Sequence, residues 1–268
     1  MRGAGIARAA ALLALTACAT PHPAPDAYVP PFARVPYEPP SRTSIVAIAL
    51  REWNLFGRAI EDPAQPPPTG PKPEREPGYW QRVGEYWWLG MNAAAPESPW
   101  TGKHDASGRV FPPEDDAEYA WSAAFISYVM RIAGFGPRFP YAPNHATYIN
   151  LAAEMSQGRT SGWLIRAERP EVYAPVAGDL ICMGRGGASG LTYNDLPAGR
   201  FPAHCAVVVS SAESGQISVV GGNVNDAVML TRVPVDADGK LATPEGVVLD
   251  PYHHWMVVIR VLVDTPIS

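Results

Sequence analysis

The chain holds only three cysteines, Cys18, Cys182 and Cys205, in 268 residues. A disulfide-dense scaffold is therefore excluded, and stability has to come from a hydrophobic core. At 47% apolar and 18% charged residues the sequence has the material for one large or two small domains. The apolar run near the N-terminus, Ala9 to Ala17, is nine residues long, too short for the roughly 20 that a membrane-crossing helix needs. Basic clusters are also missing. Lys and Arg number 21 against 26 Asp and Glu, a net charge of −5, which excludes nucleic acid and acidic lipid surfaces as charge-driven partners. Six histidines (His22, His104, His145, His204, His253, His254) and two downstream cysteines lack paired metal-ligand spacing, so neither a metal nor another cofactor is expected. Gly184-Arg-Gly-Gly-Ala-Ser-Gly190 lacks both the lysine of a phosphate loop and the spacing of a dinucleotide fingerprint, and Asp236-x-Asp238-Gly239 lacks the later acidic ligand of a calcium loop.

Proline, by contrast, is abundant: 30 residues, with eight in 21–40 and seven in 61–80. Each one fixes φ and removes a backbone donor, so neither stretch can be helix interior or central strand. Residues 1–17, with Arg2 and Arg8 ahead of the apolar run, have the layout of a secretory signal. Leu15-Thr16-Ala17-Cys18 resembles the bacterial lipobox, which implies lipidation of Cys18; ordinary cleavage in Ala17-Cys18-Ala19 fits the same residues. Loss of the two leader arginines takes the charge to 19 − 26 = −7. By the lipobox resemblance, residues 18–40 form a stiff tether from a membrane lipid. Ala19 rather than aspartate after the cysteine implies an outer-membrane lipoprotein facing the periplasm. Cys182 and Cys205 then remain for one disulfide; both fall in strand-like runs, which permits a cross-strand bridge without requiring it.

From residue 41 to 268 the chain reads as a single α+β domain without internal repeats. Ile45, Ile48, Ala49, Trp53, Phe56 and Ile60 share one face of a helix expected over 43–60. A proline-rich loop follows over 61–77, then an aromatic helix over 78–90 whose Tyr79, Trp80, Tyr86, Trp87 and Trp88 suit core packing or a sugar-stacking platform. A third helix is expected after the acidic turn containing Asp115, Asp116 and Glu118, carboxylates that suit the positive end of a helix, and Gly134 ends it. Beyond residue 174, short β-branched runs broken by Gly, Pro, Asn and Asp point to antiparallel strands. The loop over 184–203 is long enough to cover a cleft.

Three short elements carry the chemistry. Trp121-Ser122-Ala123-Ala124-Phe125 opens a helix, Gly178-Asp179-Leu180 enters a strand, and His204 opens another strand, followed by Gly221-Gly222-Asn223. A helix N-terminus offers free N–H groups to a nucleophile or an oxyanion, and a histidine on a neighbouring strand can act as base. Each residue also has a plain structural alternative. Ser122 can cap or pack, His204 can end a strand, Asn223 can make a turn, and Asp179 can organise the strand entry. His145, in Pro140-Tyr-Ala-Pro-Asn-His145, can border the cleft or cap the following helix.

The order of nucleophile helix, Gly-Asp-Leu strand, His-led strand and Gly-Asn resembles the papain-like cell-wall hydrolases, the NlpC-type peptidases and CHAP amidases. More narrowly, WSAAFISYVMRIAG, FPYAPNHATYI and AGDLICMGR resemble the bacterial domain-of-unknown-function family 2272 over about residues 43–263. The resemblance implies a papain-like fold, N-terminal helices followed by an antiparallel sheet. It assigns Ser122 as nucleophile, His204 as base and Asn223 as orienting residue, with Asp226 as substitute and Trp121 and His145 at the cleft. Serine stands where the CHAP pattern has cysteine. Cys205 points away from its neighbour His204 on a strand, and Cys182 sits inside a strand, so neither replaces the missing thiol. The implied function is either hydrolysis of peptidoglycan amide bonds by Ser122, His204 and Asn223, or a catalytically inactive relative that binds cell-wall peptide or glycan.

Overall fold

The computed structural model describes residues 39–263 except 94 and 106. The expected signal (1–17), the lipidation of Cys18 and nearly all of the 18–40 tether lie outside the described residues. Four helices precede or flank six strands. Helix α1 is Arg42–Leu55, α2 is Tyr79–Gly90, α3 is Ser122–Ile132 and α4 is His145–Ser156. The strands are β1 Ile165–Glu168, β2 Leu180–Gly184, β3 Ala203–Val208, β4 Gln216–Val224, β5 Ala227–Pro234 and β6 Trp255–Val261. All pair antiparallel in one sheet, in the order β1-β6-β2-β3-β4-β5.

Several boundaries differ from the sequence expectation for identifiable reasons. Helix α1 starts where the Ser41 hydroxyl accepts from the Ser44 N–H at 3.0 Å and stops at Leu55, because Gly57 and Arg58 adopt positive φ of 82° and 62°. Ile60 consequently leaves the predicted helix face and bridges to Leu230 as an extended residue. The acidic residues 115, 116 and 118 do not open α3. Pro112 and Pro113 start a separate 3-10 helix over Pro113–Ala117, and Asp116 turns to Arg75 and Lys72 instead of a helix dipole. Strand β1, which the sequence reading missed, covers the sheet edge beside β6. The α2 aromatics divide: Tyr86 and Trp87 are buried, Tyr79 stacks on Phe56, and Trp88 is half exposed.

The helices cover one sheet face. Phe125, Val129 and Ile149 pack there with Val207, Val220 and Ile259, while Ile181, Val208, Val219 and Trp255 form a second cluster on the opposite face. Helix α3 is clamped on both sides. A Cβ on Gly90 of α2 would sit 2.6 Å from the Ala124 carbonyl, and one on Gly222 of β4 would sit 2.6 Å from Phe125 and 2.8 Å from Trp121. Only glycine permits either approach. Asp179, fully buried, accepts from the Val176 N–H, the Tyr173 hydroxyl, the Val261 N–H and Arg42, so it organises the strand entry and ties α1 to β6. Cys182 and Cys205, directly opposed on β2 and β3, are joined by a disulfide.

Candidate functional site

Helix α3 begins at Ser122, and its N-cap residue Trp121 makes no side-chain cap hydrogen bond, so its first-turn N–H groups are left open among the described residues. Ser122 and Ala123 line a cavity of about 560 Å³ whose other walls include His145, Arg185, Phe201, Asn223 and Asp226. Ser122 Oγ lies 2.6 Å from His145 Nε2. The second ring nitrogen of His145, Nδ1, is hydrogen-bonded to the Tyr148 hydroxyl. This chain of three is set by α4. Asn144 is the cap, accepting from the Thr147 N–H at 3.1 Å, which corrects the capping role considered for His145. His145 is the first helical residue, and Tyr148, one turn on, shares its face.

Burial pushes the His145 imidazole well below its ordinary pKa, and the nearby His204 and Arg185 reinforce the shift. It is a neutral ring at neutral pH. Tyr148, also buried, is held well above the usual phenol range and stays protonated. In the tautomer with the proton on Nδ1, that N–H donates to the Tyr148 oxygen and Nε2 is free to accept from Ser122.

His204 is not the hydrogen-bond partner of Ser122. Its ring stands 5.6 Å from that of His145, beyond the last β3–β4 pairs, Val207–Val220 and Val208–Val219. Gly221 admits it: a Cβ there would lie 2.8 Å from His204 Nε2. Nδ1 of His204 is buried without a hydrogen-bond partner among the described residues. Burial first, then the charges of Arg185 and His253, push its pKa down to about 3. His204 faces a second cavity of about 330 Å³, lined also by Glu61, Trp255 and His253. Arg185, Asn223 and Asn225 belong to the walls of both cavities.

Asn223, with φ of 58°, sits at the irregular end of β4 and makes no side-chain hydrogen bond to either imidazole among the described residues. Asp226 pairs with Lys72 at 3.5 Å. Trp121 lines neither cavity; it is buried in the core and donates its indole N–H to Glu74. Glu74, itself buried, was invisible from sequence. Its pKa is pushed up to about 8, by burial above all and then by the charges of Asp226 and Asp116, against the Trp121 hydrogen bond. Tyr148 was also missed, although the His145-x-x-Tyr148 spacing on a helix could have indicated it. No group of three or more His, Cys, Asp or Glu among the described residues is arranged to hold a metal.

The loop over 184–203 contributes Arg185, Gly186 and Ser189 to the smaller cavity and Phe201 and Pro202 to the larger. No curated protein and no solved structure matches the chain. The family model for uncharacterized proteins conserved in bacteria, domain of unknown function 2272, matches residues 74–261. Those residues include all four members of the cluster formed by Ser122, His145, Tyr148 and His204, and the chain belongs to that family.

Proposed function

We propose that this protein is a hydrolase of amide bonds in peptidoglycan peptides, with Ser122 as nucleophile and His145 as its base. One observation carries the reading: Ser122 Oγ, at the uncapped start of α3 and in a cavity wall, is 2.6 Å from His145 Nε2. His145 takes the Ser122 proton as Oγ adds to the substrate carbonyl, and the first-turn N–H groups of α3 hold the oxyanion. Collapse expels the amine, which receives the proton from His145. Water then cleaves the acyl-serine and frees the acid. Tyr148 fills the place of the orienting third group, a position the sequence resemblance gives to Asn223. A nucleophile at a helix start packed on an antiparallel sheet supports the papain-like reading of the fold. Lipid anchoring through Cys18 and a periplasmic location belong to the same proposal and rest on the sequence alone.

A second reading, a cell-wall-binding relative without turnover, draws on the burial of Ser122, which is 6% exposed. The two separate cleanly. Wild type, Ser122→Ala and His145→Gln are incubated with purified peptidoglycan and with a serine-reactive fluorophosphonate. The hydrolase reading expects release of new amines and labelling on Ser122 in the wild type only. Absence of both, with peptidoglycan retained in a pull-down, establishes the binder.

A further inference from the structure

Arg185 is exposed where β2 runs into the long loop, and it lines both cavities. Its guanidinium has no hydrogen-bond or ion-pair partner among the described residues, yet it is close enough to weigh on the charge of His145, His204 and His253. The other charges around it are largely engaged. Asp116 is held by Arg75 and by Lys72 at 2.9 Å, Asp226 by Lys72, and Glu61 by the Thr231 hydroxyl at 2.5 Å and by His253 at 3.8 Å. Glu114 is exposed and unpaired among the described residues, but it lines only the larger cavity. At the junction of the cavities, therefore, one unspent cation stands beside the side-chain amides of Asn223 and Asn225, which also lack side-chain hydrogen bonds among the described residues.

A guanidinium with free donors in a partly enclosed wall is suited to a planar two-oxygen anion. His145 and His204, both neutral, add no competing positive charge, and His253 is already matched by Asp250 and Glu61. We propose that Arg185 is the carboxylate-binding residue of the Ser122 site, and that the substrate is a peptide amide carrying a free carboxylate close to the bond that Ser122 attacks. The carbonyl lies over the start of α3 in the larger cavity, and the carboxylate reaches back to Arg185 where the smaller cavity begins. This deepens the hydrolase proposal and rests on it for the position of the scissile bond. The binding of a carboxylate at Arg185 can be read without any turnover.

The test uses the full chain carrying Ser122→Ala, titrated by calorimetry with a synthetic cell-wall stem peptide ending in a free carboxylate and with the same peptide ending in a primary amide. A charge-assisted pair predicts that the acid binds at least about tenfold more tightly than the amide. Adding Arg185→Gln brings the two peptides to within about twofold, and Arg185→Lys keeps an intermediate preference, because a point charge lacks the planar fork. Equal affinities in the parent, a preference that survives Arg185→Gln, or no binding of either peptide overturns the proposal. Wild-type turnover of the same pair is scored separately. Preference without turnover retains the Arg185 site and removes the hydrolase; turnover without preference does the reverse.

Discussion

Through His145, the proposed chemistry of Ser122 depends on the Tyr148 hydroxyl, which is hydrogen-bonded to the far side of the ring. Removing it with Tyr148→Phe leaves the ring buried and the helix intact, but strands the Nδ1 proton of His145 without an acceptor, at about 1–3 kcal/mol. The imidazole then loses the bond that fixes its tautomer. We expect kcat to fall about 10- to 100-fold with KM little changed, measured by steady-state amide hydrolysis; an equal loss in KM alone would assign Tyr148 to binding. The pH profile is the second readout. Because burial lowers the His145 pKa well below 6.5, the base stays competent through mildly acidic pH, and the acid limb of kcat/KM falls well below pH 6.5. A limb centred at or above 6.5 would exclude His145 as the base. At this scale the sequence exposed part of the site. Ser122 at a helix start was legible from pattern, but the choice between two histidines was not. His204 follows a strand logic that the parting of β3 and β4 interrupts, whereas His145 is aimed by an Asn144 cap that only the folded helix reveals.

Among the secondary-structure elements, glycine decides where Ser122 stands. Gly221 and Gly222 close a strand-like run in the sequence and lie inside β4, and their missing side chains admit His204 on one face and Trp121 with Phe125 on the other. Gly222→Ala would force a Cβ into Phe125 and Trp121, an overpacking cost of about 1–3 kcal/mol. The start of α3 would shift with it, so we expect a lower melting temperature together with reduced fluorophosphonate labelling of Ser122. Gly70→Ala, where nothing lies within 4 Å, serves as the comparison and should be neutral or slightly stabilising. Equal effects at the two positions would contradict the clamp. The helices and most strands were legible because their periods survive in single stretches of chain. The role of the acidic turn before α3 was not, since Pro112 and Pro113 divert it into a 3-10 helix whose Asp116 is claimed by Arg75 and Lys72, residues some forty positions earlier.

The molecule as a whole carries buried ionisable groups that pull stability in opposite directions with pH. His204, folded near pKa 3 against an ordinary 6.5, binds its proton only after unfolding across that interval. Its contribution is therefore intact above pH 6.5 and is lost as pH falls toward 3, and His145 has the same sign. Asp116 adds to the acid loss: burial opposes its charge, but hydrogen bonds from Arg75 and Lys72 outweigh that and hold its carboxyl below the usual range. Glu74 runs the other way. With its pKa raised from 4.5 to about 8, it is a neutral acid in the folded chain, so stability falls as pH rises from about 4.5 through 8. His253 has the same alkaline sign. Burial alone would lower its pKa, but the Asp250 hydrogen bond and the charges of Asp250 and Glu61 raise it. The sum is a stability maximum in the mildly acidic range where the two sets overlap, measurable as melting temperature between pH 3 and 9. Glu74→Gln keeps the shape and removes the titration, and it should flatten the decline between pH 5 and 8 while leaving the acid side steep. An undiminished decline in that variant would mean that Glu74 is already ionised in the fold and that its partners are arranged around a charge.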